Sequence, residues 1–235
     1  MEQATLDGFT VVTPTEVLAT HLLETIKRNL PRLMALKSLR RLLDELTKLR
    51  DTDRAEANRR LFDELIPDKV PIDLLLSVLR ILLEERVSIR NLPLILDATA
   101  EARGLYSGAE AIAEHVRQRL GFQLIADLKR PDGTIPLVQL APEWEQRFAE
   151  HELPSDQGRG VVALPPDVFN RLAAAIADRL TQAGENGAHP AIVTSVRRRR
   201  FLRTVLSAKG IPNPVISFEE LGTDARPALV GAVAA

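Results

Sequence analysis

The stretch Glu84-Glu85-Arg86-Val87-Ser88-Ile89-Arg90-Asn91-Leu92-Pro93-Leu94-Ile95-Leu96-Asp97 decides the fold. Its charged start ends a helix that Pro71 opens and that carries Leu74, Leu75, Val78, Leu79 and Leu82 at helical spacing. Val87-Ser88-Ile89 forms a short kink. Leu92, Ile95 and Leu96 then share one side of a second helix, which runs through Ala98 and stops at Gly104. Two helices joined this closely need apolar partners, so the stretch predicts a helical bundle.

The bundle extends toward the N-terminus. Phe9 to Val12 reads as a short strand without an evident partner nearby, as if it belonged to a fold lying upstream. Thr13-Pro14-Thr15-Glu16 then starts a helix, with Thr13 as cap, Pro14 in the first turn and Glu16 three residues on. Val17, Leu18, His21, Leu22 and Ile26 continue its apolar side. A second stripe runs from Leu33 to Leu46, Asp51-Thr52-Asp53 breaks it, and Ala55 to Ile66 makes another helix ended by Pro67.

From Ser107 the texture changes. Ser107-Gly108-Ala109-Glu110 opens a helix to Leu120. Phe122 to Lys129 and Ile135 to Leu140 read as the two strands of a β-hairpin about the turn Pro131-Asp132-Gly133-Thr134. Pro142 to His151 is a short helix bearing Trp144 and Phe148, and Ser155 to Gly160 a polar loop. Pro166 starts a helix with Val168, Leu172, Ile176 and Leu180 inward. Ala191 to Thr194, the helix Arg197 to Leu206, Val215 to Phe218 and the tail Leu229 to Val233 complete a β-α-β unit with a further strand. The expected fold is α+β: an N-terminal helical bundle followed by a smaller α/β subdomain with a β-hairpin and a β-α-β unit. The expected divisions are 1–30, the tail of an upstream α/β subdomain; 31–105, helical; and 106–235, C-terminal α/β.

Composition narrows the function. The chain has 235 residues, 45% hydrophobic and 27% charged, with 31 basic against 32 acidic side chains and a formal charge of −1. That balance lacks the basic excess of a dedicated nucleic-acid binder. There is no cysteine, so disulfides and thiolate chemistry are excluded. Met1-Glu2-Gln3 opens no secretory signal, and Asp73 and Arg80 interrupt the most apolar run, Ile72 to Leu83. The chain reads as soluble.

No chemical constellation emerges. His21, His115, His151 and His189 are scattered without metal-ligand spacing. There is no Gly-x-Ser-x-Gly elbow, and Gly158-Arg159-Gly160 leads into no phosphate-binding pattern. Glu84-Glu85 and Glu219-Glu220 are neighbours in sequence, so their carboxylates diverge and read as solvated surface. The sharpest charge feature is Arg197-Arg198-Arg199-Arg200 with Arg203 one turn on, against Val196, Phe201, Leu202, Val205 and Leu206. It reads as a solvated amphipathic helix, or as a cationic face for phosphate or an acidic partner. The helices flanking Val87 also fit a helix-turn-helix outline, but the second carries Asp97 and Glu101.

Three ordered segments carry a resemblance. Gly8-Phe9-Thr10-Val11-Val12-Thr13-Pro14-Thr15-Glu16-Val17-Leu18-Ala19-Thr20-His21-Leu22 is the first, and Arg86 to Asp97 the second. The third runs from Pro190 to Val193, through Arg200 to Arg203, to Pro214-Val215-Ile216-Ser217-Phe218-Glu219-Glu220-Leu221. Together they resemble the cytoplasmic region of the FHIPEP family, the export-gate proteins of flagellar and type III secretion systems. The chain departs from the family pattern in having Thr13 and Asn91 where the family has aspartates, and Met34-Ala35-Leu36-Lys37 where it has a Gly-Arg-Gln-type sequence.

The resemblance implies a non-enzymatic docking platform at the cytoplasmic face of the bacterial inner membrane, either excised or naturally shortened. Its partners would be export chaperone–substrate complexes and parts of the export ATPase complex. The full-length protein would form a ring and reach the membrane through its N-terminal half, without cofactor or metal. Arg90 and Asn91 become candidates for a subunit boundary, and Thr10, Thr13, His21, Arg199 and Arg203 for partner docking. The alternative is a winged-helix-like nucleic-acid module using the Arg197 to Arg203 helix.

Overall fold

The computed structural model describes residues 12–154, 160–185 and 187–235. All but Val12 of the strand expected at Phe9 to Val12, the candidate Thr10 and most of the Ser155 to Gly160 loop lie outside the described residues. The chain forms two compact units, Met1–Ala113 and Glu114–Ala235.

The first unit is helical: α1 (Pro14–Leu33), α2 (Leu36–Leu46), α3 (Thr52–Leu65), α4 (Ile72–Glu84), α5 (Leu92–Arg103) and the start of α6 (Ala109–Arg119). Thr13 caps α1 reciprocally: its Oγ1 accepts from Glu16 N at 3.2 Å while Glu16 Oε2 accepts from Thr13 N at 2.6 Å. Leu39, Leu75, Val78, Leu79, Leu82, Ile95 and Leu96 are fully buried, as their helical spacing predicts, and so is Val70 in the turn before α4.

The kink has a definite cause. Arg86 takes a left-handed conformation, φ 60°. Its N–H donates to Leu83 O at 3.0 Å, and the Val87 N–H donates to Leu82 O at 2.9 Å. This pair of bonds is the Schellman closure of α4, and Val87 follows it into the core. Asn91 then stands at the N-terminal cap of α5, with Pro93 in the first turn.

The second unit follows α6 with α7 (Gly121–Ala126), β1 (Thr134–Leu140), α8 (Glu143–Glu150), β2 (Glu152–Leu153), β3 (Val161–Val162) and α9 (Pro166–Glu185). It closes with β4 (Ala191–Thr194), α10 (Val196–Ala208), β5 (Val215–Ser217), a 3₁₀ turn (Phe218–Glu220) and β6 (Arg226–Val233). Four strands form a parallel sheet in the order β5-β4-β1-β6, with Leu137 opposite both Ala191 and Leu229, and Ile192 opposite Val215.

Successive strand residues face opposite sides. Val138, Ile192 and Val215 join Trp144, Phe148, Leu172, Ile176, Leu202 and Val205 from α8, α9 and α10. Ile135, Leu137, Ala191, Val193 and Ile216 pack with Ile125 of α7. Trp144 is fully enclosed because its indole N–H donates to Ala234 O at 3.0 Å.

The expected hairpin at Phe122 to Leu140 is not formed, although the turn and its second strand are. Residues 121–126 are helical. Leu120, Leu124, Ile125 and Leu128 lie at helical intervals, and this arrangement buries Ile125 while leaving Phe122 exposed. The antiparallel pair in the structure is β2 with β3, Glu152 opposite Val162.

Two backbone positions give opposite expectations for stability in urea unfolding. A Cβ at Gly121 would lie 2.4 Å from Glu220 O, so Gly121→Ala should destabilise by about 1–3 kcal/mol. Arg86→Gly should stabilise by about 0.5–1 kcal/mol, because glycine adopts the left-handed cap without a Cβ clash.

Candidate functional site

The arginine-bearing helix α10 does not present its cations to solvent as a set. Its apolar side packs on the sheet, which draws Arg198 and Arg199 inward with Leu202. Arg199 is 0% exposed, and its Nε donates to Glu114 Oε2 of α6 at 2.7 Å. Its second donor, Nη2, meets the other Glu114 oxygen, making a forked pair. One turn along α6, Arg117 donates from Nε to Glu220 Oε1 at 2.7 Å. Glu220 Oε2 in turn accepts from Ser217 N at 3.0 Å. Both partners of this second pair are also buried.

A less buried network continues along the outer turn of α10. Arg198 donates from Nε to Glu145 Oε2 at 3.0 Å and from Nη2 to Glu152 Oε2 at 3.1 Å, and lies 5.7 Å from the centre of the Phe148 ring. Arg197 reaches the other oxygen of Glu152. The hydrogen bond from Arg197, with a further one from Arg198, holds the Glu152 carboxyl below the ordinary glutamate value against the opposing effect of burial.

These contacts correct two sequence readings. Arg199 is an interior ion-pair partner, because its helix face is the one that packs against α6. Glu220 is likewise buried, whereas its neighbour Glu219 is exposed. A solvated helix and a phosphate-reading helix both need outward cations. Here Arg198 and Arg199 are enclosed, and half-buried Arg203 donates from Nη1 to Asn213 O at 3.0 Å. The geometry therefore disfavours the winged-helix alternative. The four-stranded sheet is also parallel, and the antiparallel β2–β3 pair has only two residues per strand. Sequence reasoning missed Glu114 and Arg117; their signal was an acid and a base three residues apart on one helix face.

The remaining candidates are not brought together. Arg90 is exposed and Asn91 half-buried, at the start of α5. Thr13 and His21 are exposed on α1, whose Leu18, Leu22 and Ile26 are 69%, 60% and 42% exposed. In the second unit, Glu143, Gln146, Arg147, Glu150, His151 and Val168 line a cleft of about 390 Å³, where His151 Nδ1 lies 2.9 Å from Arg147 O. Among the described residues no group of three potential metal ligands converges, and no helix is long and apolar enough to cross a membrane.

Two experiments probe this network. Arg199→Ala should cost about 3–5 kcal/mol by stranding Glu114, while Arg199→Met with Glu114→Leu should recover most of it; chemical denaturation reads both. Glu152 titrates lower when folded than the unfolded value of about 4.3, so its contribution is complete above that value and lost as pH falls through the folded one. Glu152→Gln should flatten the acid side of the Tm-versus-pH curve.

The FHIPEP family profile matches residues 1–226. The flagellar biosynthesis protein FlhA of Caulobacter vibrioides is 36% identical over 233 residues, covering 99% of this chain and 32% of that protein. Protein hrpC2 of Xanthomonas euvesicatoria is 31% identical over 165 residues, covering 70% of this chain and 25% of its own length. The chain thus spans about a third of the length of the first of these relatives. Among solved structures, nonameric EPEC SctV-C matches 99% of this chain and 67% of its own at a TM-score of 0.80 and 20% identity. The Chlamydia pneumoniae complex of CdsV and CdsO matches 99% of this chain and 65% of the matched one at 0.80 and 19% identity.

Proposed function

Because the chain belongs to the FHIPEP family, we propose that it serves as part of the cytoplasmic region of a flagellar or type III protein-export gate. In this reading it is a docking platform without catalysis of its own. It holds export chaperone–substrate complexes and parts of the export ATPase complex, and it closes into a ring with other copies. The observation that carries the proposal is the family match across nearly the whole chain, supported by 36% identity to a flagellar relative. The structural neighbours support the fold, and one of them is nonameric.

In this reading, the exposed side of α1 with Thr13 and His21 takes part in docking, together with Thr10. Arg203 contributes from α10, and Arg90 and Asn91 lie at the boundary between copies. Apolar anchors would carry most of the affinity, and charged rims would set orientation and encounter rate. Residues 31–105 and 106–235 would be two successive subdomains of the platform, with 1–30 completing one that precedes them.

The test pairs capture with assembly. Immobilised chain should retain export chaperone–substrate complexes, and Arg90→Glu should weaken self-association in sedimentation velocity while leaving capture intact. Retention of no export component would sink the docking role. Self-association indifferent to Arg90→Glu would remove that residue from the boundary.

A further inference from the structure

The corner between α1 and α2 carries charge of one sign. From Lys27 to Arg41 the chain has Lys27, Arg28, Arg32, Lys37, Arg40 and Arg41 and no carboxylate. Lys27 is held by Glu24 at 2.8 Å. Among the described residues, the side chains of Arg28, Arg32, Lys37, Arg40 and Arg41 have neither an ion pair nor a hydrogen bond, and all five residues are exposed. Arg80 adds a fifth guanidinium at this corner, its Nε donating to Met34 O at 3.0 Å.

The local backbone reinforces the sign. Ala35 caps α2 without a side-chain hydrogen bond, and the first turn of α2 contains no acid, so its free N–H groups add partial positive charge. Leu30, Leu33 and Leu36 stand out among the cations, Leu33 at 57% exposure, while Pro31, Met34 and Leu39 beneath them are buried. Charge repulsion and exposed leucine both disfavour this corner in isolation. An anionic surface that accepts aliphatic side chains relieves both.

We propose that this corner docks onto an anionic phospholipid bilayer. Residues 27–41 contain no aromatic side chain on which nucleic-acid bases would stack. A bilayer requires no shaped groove, only cations at the headgroups and leucines a few ångströms deeper. This surface lies in the helical unit and does not depend on the export reading.

The test is co-sedimentation of the whole chain with vesicles of phosphatidylglycerol and phosphatidylcholine, against vesicles of phosphatidylcholine alone. Binding to the anionic vesicles only, fading as salt rises to about 0.5 M, is expected. The variant Arg32→Glu/Lys37→Glu/Arg40→Glu/Arg41→Glu should lower partitioning at least a hundredfold, at about fivefold or more per cation. Lys129→Glu/Arg226→Glu, which reverses exposed cations of the other unit, should lower it far less, and circular dichroism checks that both variants fold. Equal binding to both vesicle types, or binding indifferent to the fourfold reversal, would overturn the proposal. So would preference for single-stranded RNA or polyglutamate over anionic vesicles, since the surface would then belong to an acidic polymer.

Discussion

The second unit depends on two enclosed arginine–carboxylate pairs. Glu114 and Arg117 lie three residues apart on α6, an acid and a base on one face, and each meets its complement on a different element. Removing four charges from water is costly, so the arrangement is tolerable only because the forked geometry and the Ser217 N–H satisfy the carboxylates. The opposite signs also fix register. Exchanging the partners of α6 would place Glu114 against Glu220 and Arg117 against Arg199, two like-charge contacts in a dry interior. Apolar contact is non-directional, whereas the ion pairs require this pairing.

Around that lock the sheet follows ordinary rules. A parallel sheet covered on both faces needs apolar residues at successive positions, and β1 and β4 supply them. The close approach at Gly121 lets the backbone of α7 lie against Glu220, so the same turn that holds Arg117 also seats the helix covering the second face. Among its described residues the helical unit buries no charged side chain. Its specificity comes from leucine periodicity and from the left-handed closure at Arg86, which turns the chain sharply enough for Val87 and Leu92 both to be buried.

In the docking role proposed for this chain, function would reside in what remains outside the core. Two of the arginines that look most available in sequence, Arg198 and Arg199, are enclosed, whereas the cations of residues 27–41 and the apolar side of α1 remain exposed among the described residues. In the proposed docking role, such a surface would meet other macromolecules through complementarity.

The sequence by itself determined the helices, because helical periodicity and capping are local: Thr13 with Glu16, the leucines of α4 and the stripe of α5 all sit as their spacing requires. It determined the family through ordered motifs, and the second half of the β-α-β unit through apolar runs. It misread Phe122 to Lys129, where short alternation and helical spacing overlap and only the packing of Ile125 chooses between them. It also read Arg199 and Glu220 as surface. A charged side chain is normally exposed, and the partner that justifies its burial lies 85 residues away for Arg199 and 103 for Glu220. Only the tertiary structure brings such partners together, and only their meeting offsets the loss of water.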